Sequence, residues 1–278
     1  MTIVKRLLVA AVGALALAAP ALAAGGDQHH PEEHTWSFEG PFGTFDRAAV
    51  RRGFQVYQNV CAACHSMKLL SIRNLGEKNG PFRVMPDPEH EGEVIEYTNP
   101  NDNPYLRAIA ANYIIVDGPD SAGEMFERTG RPSDRFPSPF ANEQQARASN
   151  GGAYPPDFSV IVKARHQGPE YIRSLLLGYG HEVPHDVHVA PGQYYNPYFP
   201  GGKLAMPPQL REGIVDYEGD IEATPEQMAH DVVAFLSWAS DPKMEERKQL
   251  GLMVMIYLFI FAILMWFAYR AVWANVEH

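Results

Sequence analysis

Residues 59–67 read NVCAACHSM. They hold both cysteines of the chain, Cys61 and Cys64, with His65 directly behind the second. Three chemistries fit such a stretch: a redox dithiol, half of a metal site, or a covalent tether for a cofactor. A thioredoxin-like dithiol sits between a strand and a helix of a βαβ unit. Here Asp46 reads as a helix cap, and Val50, Phe54, Tyr57 and Val60 recur at helical spacing. The motif therefore ends a helix, with no parallel-strand pattern around it. A structural zinc site needs four ligands, usually from paired Cys or His couples, and the chain has no second pair of cysteines. What remains is C-x-x-C-H as a covalent haem-attachment signal. Two cysteines three apart reach two vinyl groups from one side of a helical turn, and the adjacent histidine then lies under the iron as proximal ligand.

The sixth ligand separates an electron carrier from a peroxidase or gas sensor, because a methionine opposite histidine leaves no open position. Among the ten methionines, Met67 is too near His65 to reach the opposite face. Met228 belongs to a helical apolar stripe, and Met253, Met255 and Met265 fall in a C-terminal apolar run. Met206, in PYFPGGKLAMPPQL, sits on a loop stiffened by prolines and allowed close backbone approach by glycines. Met85 and Met125 remain its rivals at this point. His181-Glu182-Val183-Pro184-His185 matches the H-E-x-x-H zinc-protease pattern, but Pro184 and the preceding Gly178 and Gly180 deny it the required helix. With His188, these histidines are expected in a loop, and a bis-histidine haem using one of them stays open.

The ends of the chain place the motif. Lys5 and Arg6 precede an apolar stretch, Leu7 to Ala19, and Ala21-Leu22-Ala23 gives a small-x-small cleavage pattern. Residues 1–23 are thus expected to be a signal peptide. Leu250 to Ala268 contains no charged residue and would be roughly 28 Å long as a helix, close to a bilayer's hydrocarbon thickness. The expected organisation is an exported haem domain over 24–247, a membrane span over 248–270 and a cytoplasmic tail over 271–278. That puts the chain in a bacterial inner membrane, with its bulk on the periplasmic side. The formal charge is −10, with acidic residues crowded over 89–96, 117–127 and 212–231. Such a surface suits a basic protein partner and argues against nucleic acid.

Between the ends, Asn103-Pro104 opens a helix expected to run to about Val116, and Asn142 opens a short one. Pro169 to Leu177 reads as helix closed by Gly178. Thr224-Pro225-Glu226-Gln227 has the form of a capping box. Residues 131–156 and 183–208, rich in Pro, Gly and Tyr, read as ordered loops. The class is mainly α, with long irregular connections.

Several long blocks then resemble one family in order: TFDRAAVRRGFQVYQNVCAACHSM (44–67), GEMFERTGRPSDRFPSPF (123–140), NGGAYPPDFSVIVKARHQGPEYIRSLLLGY (150–179), NPYFPGGKLAMPPQL (196–210) and TPEQMAHDVVAFLSWASDPKMEERKQLGL (224–252). They are similar to the cytochrome c1 family, the haem-bearing anchored subunits of bc1 complexes (ubiquinol–cytochrome c reductases). The resemblance implies a cytochrome c-like haem domain with long loop insertions and one C-terminal transmembrane helix. It implies one covalent haem c on Cys61 and Cys64, with iron held by His65 and Met206. Arg165 and Tyr171 would lie at a haem propionate, and Pro155 and Pro156 beside the haem. The implied partners are a cytochrome b subunit, a Rieske iron–sulfur protein as donor and a cytochrome c as acceptor, within a dimer of the whole complex and a lipid membrane. The implied activity is electron transfer with no acid–base residue of its own. Some bacterial members carry a disulfide in the insertion before the methionine. This chain has no cysteine for it, so the loop over 180–203 must be held otherwise.

Overall fold

The computed structural model describes residues 28–275. The expected signal peptide and the final residues 276–278 lie outside them. Among the described residues the chain is mainly helical. Helix α1 (Arg47–Val56) begins where the Asp46 carboxylate accepts from Ala48 N at 2.8 Å and Ala49 N at 3.2 Å, relieving two of the amides a helix start leaves unpaired. Its buried positions Ala49, Val50, Gly53 and Phe54 form one stripe.

That stripe packs on α5 (Pro225–Ser240), the central helix. Thr224 caps α5 through Gln227 N at 3.2 Å, and Pro225 fills its first position. From Met228 onward almost every residue of α5 is buried, so it is covered on all sides rather than along one face. Phe235 meets Phe54 at 5.5 Å and Tyr57 at 5.5 Å between ring centroids. Burying such side chains contributes about 1.5–3 kcal/mol each. The approach of α1 to α5 is limited by backbone: a Cβ at Gly53 would lie 1.8 Å from the Asp231 carbonyl oxygen.

One residue before that glycine, Arg52 makes a two-pronged pair with Asp231, Nε–Oδ2 2.8 Å and Nη2–Oδ1 3.0 Å. Gln227 Nε2 donates to the same carboxylate at 3.1 Å, and His230 Nδ1 lies 3.3 Å away. Asp231 has no exposed surface. Burial alone would raise its carboxyl, but hydrogen bonds from His230, Arg52 and Gln227 and the Arg52 charge outweigh this and hold it below the usual range.

Helix α2 (Pro104–Ala111), capped by Asn103, ends earlier than the expected Val116. The β-branched run that follows pairs instead as β3 (Ile114–Asp117) against β4 (Phe126–Thr129), with Ile115 opposite Arg128. Two further ribbons, β1 (Val84–Pro86) with β2 (Val94–Glu96) and β5 (Tyr194–Tyr195) with β6 (Lys203–Leu204), are shorter still. Two-stranded ribbons have little stability of their own and here trim the loops. Helix α3 (Glu143–Ser149) lies in the loop after β4, and α4 (Gly168–Leu177) packs on α5.

An N-terminal strap ties these helices together. Glu32 N donates to Ser174 Oγ at 2.8 Å, Trp36 Nε1 donates to Glu170 Oε1 at 2.8 Å, and the Trp36 ring stacks on His230 at 5.2 Å. Helix α6 (Met244–Trp273) follows α5 after a short turn. Its first turn is clamped to the domain: Glu245 accepts from Phe45 N and Arg47 Nη2 at 2.8 and 2.6 Å, and Lys248 Nζ donates to the carbonyls of Phe38 and Gly43. Beyond Leu250 the helix is exposed, and it is long and apolar enough to cross a membrane.

Replacing Gly53 with alanine forces the α1–α5 contact apart and is expected to cost about 3 kcal/mol or more, read as a thermal-melt shift. Asp231→Asn is expected to cost about 3 kcal/mol at neutral pH. The Asp231 carboxyl lies lower folded than unfolded, so its contribution is complete above about pH 4 and fades as pH falls through the folded value. The asparagine variant should therefore show a flatter loss of stability in acid, and parallel acid-melt curves for the two proteins would contradict this.

Candidate functional site

Helix α1 does not simply stop at the cysteines. Its end widens into one π turn, Tyr57–Cys61, in which Ala62 N reaches back to Tyr57 O at 2.8 Å. Such turns recur at functional sites because they insert a residue and re-aim the side chains after them. The Cys61 carbonyl then accepts from Cys64 N at 3.1 Å and His65 N at 2.9 Å, gathering the three motif residues on one turn. Cys61 is half-buried, Cys64 is exposed, and both thiols are free. Burial, with Cys64 adding to it, pushes the Cys61 thiol up to about 12. A redox dithiol sits between a strand and a helix of a βαβ unit, whereas this motif is the continuation of α1, so the dithiol reading does not fit this turn.

His65 is 9% exposed. Its Nδ1 lies 2.9 Å from the Pro156 carbonyl, and its ring stacks on Phe158 at 4.0 Å and 16°. A carbonyl only accepts, so Nδ1 carries the proton and Nε2 keeps its lone pair. Burial lowers the imidazole against the opposing Pro156 hydrogen bond and Asp157 charge, which keeps it neutral near pH 7. A neutral imidazole with a committed Nδ1, one residue beyond two unpaired thiols, is the donor set a covalently tethered metalloporphyrin requires. The residues fit that group. Beside Cys64 a cavity of about 150 Å³ opens, lined by Ser66, Phe140, Ala146, Tyr154 and Pro155 among others.

The segment facing His65 is pinned by Asp157. Its Oδ2 accepts from Ser66 Oγ at 2.8 Å and Lys68 N at 3.0 Å, and its Oδ1 from Ser159 N at 2.9 Å. Phe158 N donates to Ser66 O at 2.8 Å and Leu69 N to Ser159 Oγ at 3.0 Å. Burial would raise this carboxyl, but these bonds hold it below the usual range. Reading the sequence missed Asp157 and Phe158. Asp157-x-Ser159 has the local Asx-turn pattern that marks the first of them.

Arg165 is exposed, just ahead of α4; its Nη1 donates to the Ala164 carbonyl at 3.0 Å, and its charge lies close enough to act on the Tyr171 phenol. The turn beneath it is tight: a Cβ at Gly168 would lie 1.8 Å from Val162 O. Tyr171 is 8% exposed, and its phenol is raised by burial against the Arg165 charge. The two residues form a cation and a hydroxyl side by side.

Met206 lies just past β6, half-buried, and its carbonyl accepts from Tyr179 Oη at 2.8 Å. The ribbon before it is fixed by the fully buried Asn196, whose Nδ2 donates to Leu175 O at 2.8 Å and whose Oδ1 accepts from Tyr198 N at 3.1 Å. Hydrogen bonds to α4 and to Tyr179 thus hold the loop where a disulfide was absent. Neither Asn196 nor Tyr179 carries a local sequence signal. Helix α4 bears Tyr171 at its start and Tyr179 just past its end, so Met206 and the Arg165–Tyr171 pair hang from one element. Of the rival methionines, Met85 is buried within β1 opposite Ile95 and Met125 is 60% exposed beyond β3. Residues 181–185 form irregular loop, not the helix a zinc-protease motif needs.

Asp157→Ala releases three hydrogen bonds from a carboxylate and should lower stability by about 2–3 kcal/mol. The check is a far-UV melt beside Asp157→Asn, which keeps part of the set and should lose less.

The Cytochrome C1 family model matches residues 36–276. Cytochrome b/c1 of Bradyrhizobium diazoefficiens is 44% identical over 263 residues, covering 88% of this chain and 36% of that protein. Cytochrome c1 1, heme protein, mitochondrial, of Arabidopsis thaliana is 48% identical over 219 residues, covering 79% of this chain and 64% of that protein. Cytochrome c1 of Rhodospirillum rubrum is 39% identical over 293 aligned residues, covering 100% of this chain and 99% of that protein. The chain thus spans about a third of the first relative and just under two thirds of the second.

Proposed function

Because the chain belongs to the cytochrome c1 family, we propose that it is the haem-bearing, membrane-anchored electron carrier of a bc1-type quinol-oxidising complex. The observation that carries this reading is His65, whose Nδ1 is committed to Pro156 O while Nε2 stays free, directly behind two unpaired thiols. Cys61 and Cys64 would tether the cofactor through thioethers, and His65 Nε2 and the Met206 sulfur would hold its iron. Bound there, a c-type haem supplies one-electron transfer at a potential that an imidazole–thioether pair raises.

The protein's own groups set the conditions. The Pro156 carbonyl and the Phe158 ring hold the imidazole in one tautomer and one orientation. The Tyr179 hydroxyl holds the backbone that presents Met206. Arg165, with Tyr171 beside it, offers a charge-assisted contact for a propionate carboxylate. No side chain is assigned as a general acid or base. The domain over 24–247 is a cytochrome c-like fold with long loop insertions on the periplasmic side. Residues 248–270 cross the inner membrane, and 271–278 lie in the cytoplasm. A Rieske iron–sulfur protein reduces the site, a cytochrome c oxidises it, and a cytochrome b subunit flanks the anchor in a dimeric assembly. The acidic loops steer a basic acceptor, so its association rate should fall as salt rises.

The test is the weak near-infrared sulfur-to-iron absorption of the oxidised, haem-loaded full-length protein. The band should be present and should vanish in Met206→Leu, with carbon monoxide binding to the reduced variant but not to the parent. Absence of the band in the parent would return the site to a sensor or peroxidase reading.

A further inference from the structure

The first turn of α6 borders a cleft that electron transfer does not use. A cavity of about 230 Å³ is lined by Asn74, Glu77 and Lys78 from the 3₁₀ turn Ile72–Gly76 and the residues after it, and by Pro242, Lys243 and Glu246 from the entry to α6. The other charged groups at that entry are satisfied. Glu245 is paired with Arg47, Asp241 with Lys163 and Arg247, and Lys248 donates to two carbonyls. The side chains of Lys78, Lys243 and Glu246 enter no ion pair among the described residues, and only Glu77 has one, with Arg73 at 3.6 Å. Two free ammoniums and a free carboxylate therefore converge on one opening.

Its height is set by the helix. Glu246 and Lys243 precede Leu250, where the uncharged run begins, by about 6 and about 10 Å along the axis. The polar layer of a bilayer leaflet is about 5–7 Å deep outside the hydrocarbon, and a lysine reaches down into it through its methylene stem. The cleft thus opens at the level of phospholipid headgroups.

We propose that this cleft binds the headgroup of an amine-bearing zwitterionic glycerophospholipid, of the phosphatidylethanolamine type. Lys78 and Lys243 bracket the phosphodiester, and Glu246, with Glu77 behind it, takes the ammonium. A free phosphate would meet the same lysines but be repelled by Glu246. A choline headgroup would meet the carboxylate without a hydrogen to donate. The proposal rests on α6 entering the bilayer.

The experiment uses the full-length haem-loaded protein in nanodiscs of phosphatidylcholine with phosphatidylethanolamine, released and weighed by native mass spectrometry. One phosphatidylethanolamine should be retained per chain in preference to phosphatidylcholine. The double variant Lys78→Gln/Lys243→Gln should lower that retention about 30-fold, the worth of two lysines at a membrane surface. Glu246→Gln should erase the preference for the amine headgroup while lipid is still held. Retention in the double variant equal to the parent overturns the site. Displacement of both lipids by millimolar inorganic phosphate makes it a free-anion site and overturns it as well. Flotation of the same protein with liposomes separates the two failures: no flotation overturns the membrane reading of α6, whereas flotation without headgroup preference overturns the cleft alone.

Discussion

The contact on which the rest of the domain depends is the crossing of α1 over α5. Gly53 lets the two backbones meet, since any side chain there would strike the Asp231 carbonyl, and Arg52 locks the crossing through a carboxylate with no exposed surface. The turn that carries Cys61, Cys64 and His65 is the direct continuation of α1. Its position relative to the core is therefore set a little over two turns upstream, by a glycine and an ion pair that touch nothing at the site. Isolated buried ion pairs seldom add net stability, and one that fixes where two helices cross adds geometric definition instead.

At the site itself, the same economy of elements recurs. One carboxylate, Asp157, joins the strand of chain after the motif to the segment that presents Pro156 and Phe158. One helix, α4, supports both the Arg165–Tyr171 pair and, through Asn196 and Tyr179, the loop of Met206. Segments as long and irregular as those over 131–156 and 183–208 hold position because the short helix α3 and the β5–β6 ribbon within them are supplemented by hydrogen bonds to these few side chains.

What was legible beforehand was what is local. The Asp46, Asn103 and Thr224 caps act over two or three residues, so helix starts were readable, and C-x-x-C-H carries its chemistry within five positions. The helix expected to reach Val116 failed because Ile114, Ile115 and Val116 gain more from pairing with Phe126–Thr129 than from one further helical turn, and that partner lies beyond any local window. Arg52 and Asp231 are 179 positions apart and Tyr179 and Met206 are 27 apart. No periodicity or spacing connects such pairs. Asp157 lay between these cases: its turn was readable, but its reach to Ser66 and Lys68 was not.

The clamp between Glu245, Lys248 and the strap at Phe38 to Arg47 has a mechanical meaning. A domain bonded to the first turn of its own long apolar helix has no swivel there and is fixed to it like a post set in a floor. The turn that carries Cys61, Cys64 and His65 would therefore keep a constant height and facing relative to the start of that helix.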